Sequence, residues 1–582
     1  MDLSEAGRQP MTSPNGRFVL VFNGEIYNFQ GLMRELTTAG HVFRTRSDTE
    51  VIVHAWEEWG EKCVERLAGM FAFALWDAHR RTLFLARDRL GIKPLHYAEL
   101  PGGTVLFASE IKGLLEHPRL PRALDPLAVE DFFGLGYIPD PRTIYRSVRR
   151  LPPGHTLTIA PGGDALEPRP YWDIAFAPRH DLGEEEAAAE LIEKLRAAVD
   201  SHRVSEVPLG AFLSGGVDSS AMVALMAGMS ADPVDACSIG FDRPDYDELE
   251  YARAVAGRFG ARHHAERVDT GDFSLVDRLM GLYDEPFADS SALPTYRLCA
   301  LARRHVTVAL SGDGGDELLA GYRRYRLHVN EERVRRHLGP AIRRPLFGLL
   351  GAVYPKLAWA PQPLRAKRTL QGLASDTAEG YLNIVALLRD DLRAALYTPA
   401  FRRELQGYHA VETFRRHLER APTDDPLAQV QYLDLKTYLP ADILTKVDRA
   451  SMAHSLEVRV PLLDHTFVEW AATLPAALKL RGTEGKALFK KALEPLLPAD
   501  ILYRPKVGFS VPIGEWFRGP LRDRLYRAVS APALMDSGFL EERALRRLAD
   551  EHVSGVRNHA SALWAIVMFE AFLRRAPVAM AA

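Results

Sequence analysis

Apolar runs separated by small polar loops recur through the second half of the chain. Val207–Leu213 is apolar, Ser214–Ser220 is small and polar, and Ala221–Met226 is apolar again. A short apolar run bounded by turn residues predicts a buried strand, and the run after the loop predicts a helix. Val306–Leu310, Ser311–Glu317 and Leu318–Tyr322 repeat the strand–loop–helix order, and Ala236–Phe241 predicts a third strand between them. Nearer the N-terminus, Gly69–Asp77 and Ala86–Leu95 alternate or run apolar like packed strands. Thr156–Ile159 predicts a last strand before a stretch rich in glycine and proline. The elements predict an α/β fold with a first domain at 1–160, a linker at 161–181 and a second domain at 182–582.

Composition narrows the class without naming it. A chain of 582 residues has room for two or three domains. It is 47% hydrophobic and 26% charged, and its net charge of −3 gives no reason to expect a nucleic-acid partner. Cys63, Cys237 and Cys299 lie far apart without metal-ligand spacing and read as reduced, mostly buried residues of a cytoplasmic protein. No signal peptide is evident. The longest apolar stretch, Pro345–Pro361, is interrupted by Pro355 and Lys356 and is too short to span a bilayer.

The two loops carry the chemistry. A strand, a tight small-residue loop and a helix point several backbone N–H groups and a helix N-terminus at one spot, where phosphate oxygens bind. Ser214-Gly215-Gly216-Val217-Asp218-Ser219-Ser220 has this form but lacks the Lys-Ser/Thr pair of a Walker A loop. Asp218 stands in its place, as a metal on a polyphosphate would need. The second loop brings Asp313, Asp316 and Glu317, which repel one another without a cation. Asp218 and Asp316 together suit Mg²⁺. Helix capping would account for Asp316 alone, but not for Asp313 and Glu317. The polar loop Asp284–Ser291 serves equally well as a small-substrate site or as a surface loop with a cap.

These motifs together resemble the glutamine-dependent asparagine synthetases over nearly the whole chain. The resemblance rests on both loops, on Thr445–Met452, on Leu456–Asp464 and on Arg504–Phe509, in the family's order. It implies backbone contacts to adenine from Leu213 and Ile239. Ser214, Gly215, Gly216, Asp218, Ser219 and Ser220 would bind ATP through its pyrophosphate, and Ser311 and Gly312 would line the nucleotide. Asp218 and Asp316 would hold Mg²⁺. Asp313 stands where the family usually has Glu, near the attacking ammonia. Glu317 faces the amino acid, and Lys506 would neutralise charge on the phosphates.

The N-terminal part resembles N-terminal-nucleophile glutamine amidotransferases through Val19–Asn28 and Ser47–Glu50. Asn23 and Gly24 fall at the implied oxyanion hole, Glu25 in the same glutamine-binding segment, and Asp48 where the glutamine α-amino group is held. The resemblance implies an αββα sandwich lacking its first strands, then a Rossmann-like parallel-sheet ATP pyrophosphatase domain with helical elaborations. The family's nucleophilic N-terminal Cys has no counterpart here, and Cys63 reads as structural. About fifty residues are expected to precede Met1 in a complete domain. A late-called start accounts for this better than a chain that uses free ammonia.

The implied reaction adenylates a carboxylate, aspartate first, releases pyrophosphate and makes an amide with ammonia, drawn from glutamine in the full-length form. Taken literally, this chain keeps a glutamine-site remnant without glutaminase activity. Other carboxylate acceptors, a β-lactam-synthetase-like intramolecular reaction and a nucleotide-sensing scaffold are the competing readings. The implied partners are small molecules, and a homodimer is an assembly the family allows. Residues 331–368 hold many cations around apolar positions and read as a solvated helix pair, with a membrane or partner surface as the other reading. With the form of the second loop, this segment points towards the exosortase-associated amidotransferases.

Overall fold

The computed structural model describes residues 5–162, 166–242, 247–268, 274–355, 366–504 and 511–575. The N-terminal part is built on antiparallel sheets. Strands β1 (Met11–Thr12), β2 (Phe18–Ile26), β3 (Gly69–Asp77) and β4 (Thr82–Arg87) lie side by side in one sheet. β5 (His96–Leu100), β6 (Thr104–Ala108) and β7 (Arg149–Arg150) form a smaller second sheet. β8 (His155–Ile159) and β9 (Arg169–Pro170) return to the first sheet, giving the order β1–β2–β3–β4–β8–β9. Thus Arg169–Pro170, within the expected linker, extends the sheet.

β3 shows why this sheet is buried on both faces. Its large residues Phe71, Phe73 and Leu75 pack on the helices Phe29–Thr38 and Asp48–Trp59, with Leu36, Val51 and Ile52. Its small residues Ala72 and Ala74 face the second sheet, with Leu85, Tyr97 and Leu157. The outer face of the second sheet packs Ala98 and Leu100 among Ile111, Leu114, Phe132 and Phe569. The order is helix, sheet, sheet, helix, as the αββα expectation had it.

The strand expected at Ala86–Leu95 ends at Arg87. Asp88 explains why. Its carboxylate accepts from the backbone N–H of Phe71, Leu90, Ile92 and Lys93, at 2.9–3.2 Å. Those amides are turned inward to one side chain and cannot pair with a strand.

The second part holds five parallel strands: β10 (Leu209–Phe212), β11 (Asp235–Phe241), β12 (Arg262–Val268), β13 (Val308–Leu310) and β14 (Glu457–Arg459). Their order is β12–β11–β10–β13–β14. The chain therefore runs outward from β10 in one direction and resumes on its other side at β13. Ligands of open parallel sheets bind where the order reverses, outside the carboxyl ends of the strands. Helices Glu184–His202 and Val217–Met229 cover one face, with Leu191, Leu195, Val223 and Leu225. Ala292–Arg303 covers the other, with Tyr296 and Cys299.

All three cysteines are free and buried. The described part of the basic segment lies in the helices Arg323–His337 and Pro340–Val353 and reaches the start of a third, Lys367–Ala374. Arg335 is buried in ion pairs to Glu331 and Glu332, at 2.7 and 2.5 Å. Arg343 donates to the carbonyls of Leu373 and Ser375. Ile342, Leu346, Leu349, Leu350 and Val353 are exposed on the second helix. No helix among the described residues is long and apolar enough to cross a membrane.

Candidate active site

The loops after β10 and β13 meet at the reversal of strand order. In the first, Ser214 Oγ lies 3.0 Å from Ser219 Oγ and accepts the Gly216 N–H at 3.2 Å. Gly215 has φ +74°, and a Cβ there would lie 2.6 Å from Tyr251 Cβ. Only glycine closes this turn against Tyr251. The helix Val217–Met229 begins at Gly216 with no side-chain cap, so its first amides remain for an anion. Ser220 does not join the loop surface: it is fully buried and its Oγ makes no hydrogen bond. Leu213 and Ile239 are buried at the carboxyl ends of β10 and β11. The Leu213 N–H is taken by Cys237 O, and its carbonyl accepts from Ser238 Oγ.

The second loop touches the first. A Cβ on Gly312 would lie 2.7 Å from Asp218 Cβ, and one on Gly315 would lie 2.4 Å from Asp218 Oδ1. Ser311 donates its N–H to Arg459 O at 2.8 Å and its Oγ–H to Asp313 Oδ2 at 2.6 Å. Burial raises the pKa of Asp313, against the Ser311 bond and nearby Lys446. Glu317 is 1% exposed, and burial beside Asp316 raises its pKa to about 7. The Tyr322 hydroxyl donates to Glu317 Oε1 at 2.7 Å.

Asp218 and Asp316 converge on one cation. Lys486 Nζ lies 2.6 Å from Asp218 Oδ2 and 2.7 Å from Asp316 Oδ1. Burial opposes the charge on Lys486, and the two carboxylates outweigh it, so its pKa lies above the ordinary lysine value. A Cβ on Gly321 would lie 1.9 Å from Asp316 Oδ1 and 2.3 Å from Lys486 Cε. The glycine leaves the cradle open, and two carboxylates focused on one point suit a hard divalent cation.

Lys486 carries no sequence signal in its own segment, and sequence reasoning missed it. Arg504 stands out in the sequence only as part of the Arg504–Phe509 motif. It donates to the Gly215 carbonyl at 3.1 Å, pairs with Glu248 at 2.6 Å and stacks on Tyr251. Lys506 lies outside the described residues.

The glutamine-like segment sits at the end of β2. Asn23 Nδ2 donates to Ser109 Oγ at 3.3 Å. A Cβ on Gly24 would lie 2.0 Å from Met70 O, so the close strand pairing there requires glycine. Asp48, in the first turn of its helix, accepts the Ile26 N–H at 2.9 Å, and burial raises its pKa. Burial, with Asp48 nearby, raises the pKa of Glu25 to about 7, against Arg459 at 3.3 Å.

The polar loop Asp284–Ser291 fastens the two parts together. Asp284 accepts the Ile111 N–H at 2.7 Å and faces Arg449 at 3.3 Å. Glu285 accepts the Ile144 N–H and pairs with Arg150. Asp289 pairs with Lys446 at 2.8 Å; burial opposes its charge, and Lys446 outweighs burial to hold its pKa below the ordinary value. These carboxylates are occupied within the chain. The motif Thr445–Met452 supplies the partners, with Asp448 reaching Lys93 at 3.3 Å and Arg449 reaching Glu110 at 3.0 Å. A cavity of about 40 Å³ lies at this junction, lined in part by Ile92, His96, Ile138, Leu444 and Arg449.

A family model for asparagine synthase matches residues 190–574, and one for a glutamine amidotransferase domain matches residues 1–172. A Mycobacterium tuberculosis relative, provisionally named a glutamine-hydrolyzing asparagine synthetase, is 38% identical over 574 residues, covering 96% of this chain and 84% of its own. Asparagine synthetase (glutamine-hydrolyzing) 1 of Bacillus subtilis is 30% identical over 570 residues, covering 97% of this chain and 87% of its own. The protein is therefore an α/β enzyme that joins an amidotransferase domain to a synthetase domain. It belongs to the asparagine synthase family.

Proposed function

We propose that the chain makes asparagine from aspartate, ATP and ammonia, the ammonia coming from glutamine. The observation that carries this is the convergence of Asp218 and Asp316, from the two reversal-point loops, beside half-buried Asp313 and buried Glu317. An aspartate carboxylate oxygen attacks the α-phosphorus of ATP, and pyrophosphate leaves from the loop Ser214–Ser219. Ammonia then attacks the acyl carbon, and AMP leaves with the transferred oxygen. Ser214, Gly215, Gly216, Ser219, Ser311 and Gly312 hold the nucleotide, with Leu213 and Ile239 at the adenine.

Lys486 neutralises charge between the loops, an electrostatic role that grows as pyrophosphate separates. Lys506 is assigned the same kind of role on the phosphates. Mg²⁺ held by Asp218 and Asp316 would supply further neutralisation of the polyphosphate. Asp313 takes the proton that ammonia loses on forming the amide, a task its raised pKa suits. Glu317, once ionised, attracts the acceptor's ammonium group.

On the other side, Asn23, Gly24, Glu25 and Asp48 are assigned to glutamine, with Asn23 and Gly24 at the oxyanion. Ammonia would cross through the interdomain cavity past Ile92, Ile138 and Leu444. The test is pyrophosphate release from MgATP with aspartate and ammonium. Release that requires both aspartate and ammonium supports the reading. Release that needs neither, or that needs a different carboxylate, overturns aspartate as acceptor.

A further inference from the structure

A second set of polar residues lies away from these loops, on the outer helix of the amidotransferase part. Glu50, His54, Glu57 and Glu58 share one face of the helix Asp48–Trp59 at helical spacing. His41, from the turn after the helix Phe29–Thr38, packs against it with its ring 5.0 Å from that of His54. His54 is 2% exposed, yet neither of its ring nitrogens makes a hydrogen bond. A buried imidazole with both nitrogens unbonded loses hydration without compensation.

The neighbouring groups show what would compensate. His41 Nδ1 and His54 Nδ1 each lie 3.6 Å from the same oxygen, Glu57 Oε2. One donor atom from each of the three residues falls within 4.8 Å of the others. Two donors bound at about 2.1 Å to a tetrahedral ion stand about 3.4 Å apart. The spacing is too long for hydrogen bonds and close to that edge. Each histidine also has a carboxylate behind its other nitrogen. His41 Nε2 bonds Glu58 Oε2 at 3.1 Å, and His54 Nε2 lies 3.5 Å from Glu50 Oε1. A carboxylate behind a ligating imidazole fixes its tautomer and orientation. Glu57 is 34% exposed, which leaves a way in from solvent.

We propose that His41, His54 and Glu57 form a binding site for one divalent transition-metal ion of the zinc class, with Glu58 and Glu50 as supporting carboxylates. Two imidazoles and one carboxylate with an open fourth position match that class rather than Mg²⁺ or Ca²⁺, which take oxygen ligands. The ion ties the turn at His41 to the helix. The following segment is already held from the other side, where Glu50 accepts from the N–H groups of Arg44 and Thr45 at 2.7–3.1 Å. That segment leads to Ser47 and Asp48, so the ion steadies the approach to the proposed glutamine site without touching it.

The test is Zn²⁺ uptake by the full chain after chelator treatment, read with a chromogenic chelator in competition. The expected result is one equivalent per chain at micromolar or tighter affinity. His41→Ala and Glu57→Gln, both at the rim, should weaken it about 100-fold, and Glu58→Gln about tenfold. Asp218→Asn should leave uptake unchanged, separating this site from the nucleotide loops, and the three buried thiols do not compete. Co²⁺ uptake should give a visible absorption band that His41→Ala abolishes. Failure to bind a stoichiometric ion, or uptake unchanged in folded His41→Ala, overturns the proposal. Neither result bears on the asparagine reading, which is tested with ammonium.

Discussion

Arg459 Nη2 lies 3.3 Å from Glu25 Oε2, so the last strand of the synthetase sheet pairs with the glutamine-like segment. The same residue accepts the Ser311 N–H at its carbonyl, 2.8 Å away. One buried arginine thus joins the nucleotide loop by its backbone to the amidotransferase part by its side chain. Its Nε also bonds Glu457 at 2.6 Å, and its Nη1 the carbonyls of His202 and Val204. Arg459→Ala strands two carboxylates and two carbonyls in the interior. It should cost about 3–5 kcal/mol, read as a lowered urea midpoint, and loosen the contact between the two parts. A variant as stable as the parent would contradict the pairing.

Lys486→Met should lower ammonium-dependent turnover by about 100-fold or more, the scale for removing one preorganised electrostatic group. Lys486→Arg should recover part of it only, because the planar guanidinium does not fit between Gly321 and Asp316. Steady-state pyrophosphate release reads both.

Gly312→Ala places a methyl group 2.7 Å from Asp218 Cβ. The two loops must then part, and MgATP affinity should fall at least tenfold while the far-ultraviolet circular dichroism stays the same. Equilibrium binding of a non-hydrolysable nucleotide checks this.

Glu317 has its pKa raised to about 7 by burial. Below that pH it is protonated and loses its attraction for the acceptor's ammonium. The KM for aspartate should therefore climb as pH falls from 8 to 6, and Glu317→Gln should flatten the climb. The stability effect has the opposite sense. A raised carboxylate pKa gives stability that is full below the unfolded value near 4.5 and lost as pH rises through about 7.

Lys479 is 3% exposed, and burial lowers its pKa to about 7. The folded form disfavours its charge, so stability falls as pH drops from the unfolded value of 10.5 through about 7. Lys479→Met should raise Tm at pH 6 by several degrees and less at pH 10. Equal shifts at both pH values would show that Lys479 is not held neutral.

The loops were legible because their demands are local. Gly215 must close on a neighbouring helix, and Asp218 follows within the same turn. Three of the five parallel strands, β10, β11 and β13, were legible from their apolar runs; β12 (Arg262–Val268) and β14 (Glu457–Arg459) are rich in charged residues and carry no such run. The cations were not legible. Lys486 lies 268 positions from Asp218 along the chain, and Lys446 lies 157 from Asp289. Such pairs form only through tertiary contact, and nothing in either segment alone announces them. The polar loop Asp284–Ser291 was ambiguous for the same reason, since its partners Arg449 and Lys446 come from a remote helix. Asp88 shows the converse, a run that looks apolar enough for a strand but is bent around one carboxylate.

The most direct test of the central claim follows an oxygen atom. Aspartate labelled with ¹⁸O in its side-chain carboxylate is turned over with MgATP and ammonium. Adenylation at the proposed loops predicts one ¹⁸O in the phosphate of AMP, because the attacking oxygen leaves with it. Label in inorganic phosphate or pyrophosphate, or none in AMP during asparagine formation, would contradict the account.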